Sequence, residues 1–255
     1  MPVTNFSLEG KVAIVTGGSR GIGRSIAIGL AEAGADVAIA ARKPEALAEA
    51  LAAVEATGRR AIAVPTNVRR TDECRNLVEQ TAKELGRVDI LVNNAGTNPF
   101  FGKIQDMDER AWDTIMNTNV KSCFLLGNFA REAMLASGDG GSIINVSSVG
   151  GFNASDVIGA YSVSKAALIM LTQVTAKTWG RDGIRVNAIA PGLIKTEFAR
   201  ALWENPAILE GATKDAALSR IGEPDEMAGA VVYLASDAAS FVTGQTLVLD
   251  GGRLL

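Results

Sequence analysis

The chain predicts a doubly wound α/β fold: a seven-stranded parallel sheet covered by helices on both faces. Three observations predict it. Strand and helix signals alternate along all 255 residues without a linker or compositional break, the pattern of a parallel sheet joined by crossover helices. The strand segments are near-continuous apolar runs such as Ile143-Ile144-Asn145-Val146, as strands buried on both faces require. A glycine-rich turn, Gly17 to Gly23, joins the first strand to the first helix.

The elements follow in order. Lys11-Val12-Ala13-Ile14-Val15 is a short run rich in β-branched residues and opens a strand at about 11–16. Ile26, Leu30 and Ala31 carry helical spacing before the stop at Gly34, so a helix runs over about 21–33. Similar apolar runs give strands at about 36–41, 61–65, 88–93, 142–147, 184–190 and 246–250. Helical periodicity covers about 45–57, 71–85, 108–136, 157–180 and 224–235. The Ala- and Glu-rich stretch from Glu45 to Ala56 is an exposed amphipathic helix. The segment Leu193 to Arg220 interrupts the rhythm, with Phe198, Leu202, Trp203 and Ile208 at helical spacing, then Gly211. The whole of 1–255 forms one domain, since α/β folds of about 200–250 residues commonly do.

Composition narrows the function classes. A net charge of −3 supplies no basic field for nucleic acid or anionic membranes, and no apolar run reaches bilayer-spanning length. Met1 to Gly10 lacks the basic-then-apolar layout of a secretory signal, and the end, Gly252-Arg253-Leu254-Leu255, is not a peroxisomal address. Cys74 and Cys123 have no metal or redox spacing; both read as free thiols in a reducing cytoplasm, and no metal is expected. The chain has no histidine, which removes Ser-His-Asp triads and His-based zinc sites. Proton transfer is left to Tyr, Lys, Cys or a carboxylate.

Tyr161-Ser162-Val163-Ser164-Lys165 fills that gap. It puts a phenol and an ammonium four residues apart, thirteen residues after Ser148. On a helix these share one face, roughly 5–6 Å apart at Cβ. The lysine charge favours the phenolate and should draw the tyrosine down from its usual value of about 10. Tyr233 is the only other tyrosine. The glycine turn Thr16-Gly17-Gly18-Ser19-Arg20-Gly21-Ile22-Gly23 has the spacing Gly-x-x-x-Gly-x-Gly. Placed between strand and helix, it permits close approach of a pyrophosphate to the positive helix end.

These motifs resemble the short-chain dehydrogenase/reductase family, together with Asn93-Asn94-Ala95-Gly96, Asn119 in Asn117-Thr118-Asn119-Val120, and Pro191-Gly192. The resemblance spans about Leu8 to Gly252. It implies a Rossmann-type domain in which Tyr161 is the general acid/base. Lys165 would stabilise the phenolate and bind the nicotinamide ribose, and Ser148 would orient the substrate oxygen, with Ser147 as the alternative. Asn119 would hold a water connecting Lys165 to solvent. Gly17, Ser19, Arg20, Gly21, Ile22 and Gly23 would cradle the diphosphate. Asn67 and Val68 would contact the adenine, where the family more often has Asp-Val; Asn94, Ala95 and Gly96 would pack near the adenosine. Pro191, Gly192, Ile194 and Thr196 would hold the carboxamide and diphosphate.

The end of the second strand, Ala40-Ala41-Arg42-Lys43, selects the cofactor. An acidic residue there binds a ribose 2′-hydroxyl and repels a 2′-phosphate. NAD-preferring members usually carry Asp at the position of Ala41. Its absence, with Arg42 and Arg20 available for a phosphate, favours NADP(H) over NAD(H).

By resemblance, 193–220 forms a lid over the substrate. Phe198, Leu202 and Trp203 on it, with Phe100, Phe101 and Phe152 after other strand ends, imply an apolar carbonyl compound of medium size. Three readings stand: an NADPH-dependent ketone or aldehyde reductase, which leads; a reductase of 3-oxoacyl thioesters on carrier protein or CoA; and a non-enzymatic dinucleotide-binding scaffold. Asp139 and Asp182 beside Arg131 and Arg181 weigh against an acidic carrier protein. The intact set Asn119, Ser148, Tyr161 and Lys165 weighs against a scaffold. The family further implies a homotetramer, paired through helices near 108–136 and 157–180 and through 246–255.

Overall fold

The computed structural model describes residues 5–255; Met1 to Thr4, where the segment read for a targeting layout begins, lie outside the described residues. Seven parallel strands form one sheet in the order β3-β2-β1-β4-β5-β6-β7: β1 Val12–Thr16, β2 Asp36–Ala41, β3 Ala61–Pro65, β4 Ile90–Asn93, β5 Gly141–Val146, β6 Ile184–Pro191 and β7 Thr246–Leu249. The order turns back on the two sides of β1 and β4, so a crevice opens beyond their carboxyl ends.

The central strands explain themselves. Val12 to Thr16 are all buried, because side chains alternating to both faces meet a helix layer on each. One layer, with α1 (Gly21–Glu32) and α2 (Pro44–Glu55), closes a core around Ile26, Leu30, Ile39, Ile144 and Leu234. The other, with α3 (Thr71–Leu85), closes one around Ile14, Leu77, Leu91, Leu126 and Met134. At the amino ends of the strands, the buried Asp89 carboxylate accepts from the Val12 amide at 2.9 Å and from Arg87 at 2.6 and 2.8 Å.

The sequence reading is corrected in three places. The single helix expected over 108–136 is three pieces: α4 (Glu109–Met116), a π-turn (Asn117–Lys121) and α5 (Ser122–Ser137). The hydrophobic period cannot show this, because one inserted residue shifts the helix face by only a third of a turn. The helix expected from 224 starts as a 3-10 turn, Pro224–Met227, with Glu223 and Glu226 in a reciprocal capping box; α9 itself is Ala228–Ala235. The fourth strand begins at Ile90 rather than 88, since Asp89 turns into its ion pairs. The helix at 157–180 is α6, Gly159–Trp179, and 193–220 contains α7 (Arg200–Trp203) and α8 (Pro206–Asp215). Among the described residues, no helix is long and apolar enough to cross a membrane, and no group of three or more potential ligands is placed to hold a metal ion.

Candidate active site

The glycine turn leaves β1 with Gly17 at φ +65° and Gly21 at φ +53°, conformations that disfavour a side chain. At Gly23 a Cβ would overlap the Gly17 carbonyl and the Asn94 amide. Arg20 is extended at the head of α1, and no side chain caps that helix or places an acid in its first turn. The amides of the first turn are therefore available to an anion, where the helix dipole also favours one. The turn thus fits a dinucleotide diphosphate. Thr196 lies over it, with Cγ2 3.3 Å from where a Gly21 Cβ would stand. Ile194 is buried beneath, and Gly192 donates to Leu249 at 3.0 Å.

Asn94 holds this turn in place. Its Nδ2 donates to the Thr16 and Gly17 carbonyls at 2.8 and 3.2 Å. Thr16, which the sequence reading passed over, answers from the other side: its Oγ1 accepts from the amides of Asn94 and Ala95, both at 3.0 Å. A hydroxyl ending an apolar strand, opposite Asn-Asn-Ala-Gly, is the signal that marks it. Asn67 accepts at Oδ1 from the Arg69 amide at 3.2 Å, and its own amide donates to Glu73 at 2.6 Å; Val68 is buried beside it. Arg20 and Arg42 are both exposed, and among the described residues neither forms an ion pair.

The remaining groups gather at the ends of β4 and β5. Asn119 sits on the π-turn, fully buried. Its carboxamide accepts from the Thr97 amide at 2.8 Å and donates to the Thr97 carbonyl and to Ser164 Oγ, both at 3.0 Å. Both amide hydrogens are thus engaged by protein, and the side chain ties the loop after β4, at Thr97, to Ser164 on the Gly159–Trp179 helix. Gly96 lies between, 3.7 Å from both Asn119 Oδ1 and Lys165 Nζ at the position of a Cβ. Ser148 is extended, with Oγ accepting from the Gly150 amide at 3.1 Å.

Tyr161 and Lys165 lie one turn apart on α6 as expected, but their protons do not follow the expectation. Burial pushes the Tyr161 phenol up to about 12, against the facing Ser148 hydroxyl, which pulls it down. Burial likewise pulls the Lys165 ammonium down to about 8. The reason is geometric: Lys165 Nζ donates to the Val146 carbonyl at 2.8 Å and stands 5.5 Å from the Tyr161 ring centre. Desolvation penalises the charged form of each and is the largest cause of both shifts.

Around the mouth, the Phe198 ring lies 6.2 Å from Tyr161 and is 54% exposed. Trp203 Nε1 donates to the Thr196 carbonyl at 2.8 Å, folding α7 back over the loop after β6; Leu202 beside it is half-buried. Phe100 packs on Gly102, and Phe101 is exposed. Phe152 lines a groove on the α6 surface with Ile104, Gly150 and Val163, on the side of Val163 rather than beside Phe198.

A family model described as enoyl-(acyl carrier protein) reductase matches residues 17–253. The chain is 42% identical over 245 residues to dehydrogenase/reductase SDR family member 4 of Oryctolagus cuniculus, covering 96% of this chain and 94% of that protein. Among solved structures, a putative short-chain alcohol dehydrogenase from Sinorhizobium meliloti superimposes with a TM-score of 0.95 at 41% identity, over 98% of this chain and 99% of that one. A gluconate 5-dehydrogenase from Burkholderia cenocepacia, in complex with NADP and tartrate, gives 0.94 at 35% identity over 100% and 99%. Carveol dehydrogenase from Mycobacterium avium, in complex with NAD, gives 0.92 at 30% over 97% and 98%.

Proposed function

The chain belongs to the short-chain dehydrogenase/reductase family of nicotinamide-dependent oxidoreductases, and on that premise we propose that it is an NADPH-dependent reductase of ketones or aldehydes, with the reverse oxidation of alcohols available. The observation that carries the reading is the convergence of Ser148, Tyr161 and Lys165: a hydroxyl facing a phenol whose ammonium partner lies one helical turn away. The cofactor supplies the hydride. Tyr161, protonated at neutral pH, gives its proton to the carbonyl oxygen, and Ser148 orients the oxygen and steadies its developing charge. Lys165 holds the ribose and favours the phenolate left behind.

Arg20 and Arg42, exposed and without carboxylate partners among the described residues, support NADP(H) over NAD(H). Gly17, Ser19, Gly21, Ile22, Gly23, Asn67, Val68, Asn94, Ala95, Gly96, Pro191, Gly192, Ile194 and Thr196 complete the cofactor cradle in this reading. The segment 193–220 serves as a lid within one domain. Three of its four cations are paired, Lys195 with Glu223, Arg200 with Glu197 and Glu204, and Arg220 with Glu226; the fourth, Lys214, is exposed on α8. With Phe198 beside Tyr161, this supports an uncharged, apolar substrate. Arg131 and Arg87 are neutralised by Asp182 and Asp139, which argues against docking of an acidic acyl carrier protein and keeps thioester reduction the second reading. The exposed stripe Val163, Met170 and Val174 on α6 and Phe124 on α5 supports a homo-oligomer, a tetramer by family likeness; the chain's two cysteines, both free, suit a reducing cytoplasm.

Initial rates of NADPH consumption across free ketones, diketones, keto esters and acetoacetyl thioesters, with NADH in parallel, test the reading. Tyr161→Phe should lower turnover by about three orders of magnitude or more while NADPH binding, followed by fluorescence titration, stays near wild type. Retention of most activity would remove Tyr161 from its role.

A further inference from the structure

We infer that Ser147 and Ser164 are positioning residues of the reaction, gripping the Tyr161–Lys165 turn from two sides. The inference rests on the reading of Tyr161 and Lys165 given above. Ser147 is 3% exposed and its Oγ donates to the Lys165 carbonyl at 2.9 Å. Its own amide donates to Ile189 at 2.8 Å, so the hydroxyl projects from a backbone fixed in the sheet. The preceding residue, Val146, accepts from Lys165 Nζ at 2.8 Å. Two consecutive residues at the end of β5 therefore hold both the backbone and the head group of one lysine. The next residue is Ser148, whose hydroxyl faces the phenol.

Ser164 works from the other side. It is 0% exposed, and its Oγ donates to the Tyr161 carbonyl at 2.7 Å while accepting from Asn119 Nδ2 at 3.0 Å. Asn119 is bonded in turn to the backbone amide and carbonyl of Thr97, in the loop after β4. The tyrosine's backbone is thereby tied to that loop through one hydroxyl. A helical carbonyl is already satisfied by its own helix, so neither serine is needed to pair a buried backbone group. What the added bonds fix is the place of the turn relative to Ser148. Proton transfer requires hydrogen-bond reach of the reacting oxygen, and misplacement of about 1 Å is enough to cost a large factor in rate.

Ser142 supplies the control. It lies on the same strand, is 2% exposed, and its Oγ donates to the Leu234 carbonyl at 2.9 Å, the same bond at the far end of β5. Ser147→Ala, Ser164→Ala and Ser142→Ala should lower the melting temperature comparably. Only the first two should lower kcat, by about tenfold or more, with KM and NADPH affinity within about twofold of wild type. In the NADP complex, ultraviolet titration of tyrosinate, assigned by subtracting Tyr161→Phe, should move to higher pH in those two variants, because a lysine no longer held in register favours the phenolate less. Ser147→Thr, which keeps the hydroxyl, should restore rate and titration. Ser164→Cys is the second variant should Ser164→Ala not fold. Alanine variants at 147 and 164 that match Ser142→Ala in kcat and in titration would overturn the inference, as would failure of Ser147→Thr to restore either. A wild-type protein that reduces no carbonyl would instead defeat the proposed reaction, and the titration would still report on the two serines.

Discussion

At Ala41, the last residue of β2, a single methyl group stands where an acid would bind a ribose 2′-hydroxyl and repel a 2′-phosphate. Ala41→Asp puts a carboxylate beside Arg42 and repels a 2′-phosphate. It should lower kcat/KM for NADPH by about tenfold or more and improve the ratio for NADH, as parallel assays with the two cofactors would show. The pH dependence also belongs to single residues. Tyr161, held up at about 12, keeps its proton through the neutral range. Lys165, drawn down to about 8, loses its charge above that value in the cofactor-free protein. Reduction needs a protonated phenol and a charged lysine, so its kcat/KM should be level below about pH 8 and fall above it. Oxidation needs the phenolate and should rise with pH. Rates measured in both directions from pH 6 to 10 check the signs. The identities of these groups were legible in the chain, because a histidine-free sequence with two tyrosines leaves few proton donors. Their proton affinities were not, because desolvation is set by residues distant in sequence.

Elements decide where those residues stand. The π-turn at Asn117–Lys121 places Asn119 against Thr97 and Ser164; an uninterrupted helix would rotate it away. The turn is invisible to periodicity, whereas the glycine turn was plain from its spacing. In α7, Trp203 reaches back to Thr196 and so closes the loop next to the glycine turn. Trp203→Phe keeps the ring and removes the donor. It should raise KM for substrate several-fold, roughly 1 kcal/mol for one hydrogen bond, while leaving the melting temperature within about 2 °C. An unchanged KM would mean that the clasp has no part in substrate capture.

For the whole molecule, the parallel sheet brings the ends of β1, β2, β4, β5 and β6 to one crevice and leaves apolar side chains exposed on α6. Met170, 57% exposed, lies there with Val163 and Val174. Light scattering of the wild type should report a tetramer, and Met170→Asp should reduce its mass, since a charge buried at an apolar interface goes unpaired. A monomeric wild type would leave the stripe to some other purpose. At the amino ends of the strands, Asp89 ties β1 to β4 by accepting from the Val12 amide and pairing with Arg87.

The sequence alone determined the alternation of strands and helices, the glycine turn, the residues able to move a proton and the lack of an acid after β2. All of these are local: strand burial shows in a run of apolar residues, and a turn's needs show in its glycines. The tertiary structure decided that Thr16 and Asn94 lock the turn, that Asn119 is a brace with its amide hydrogens engaged, that Lys165 is gripped by Val146 and Ser147, and that Tyr161 binds its proton more tightly rather than less. Each depends on a hydrogen bond or on water exclusion between segments remote in the chain, and residue spacing carries no record of either.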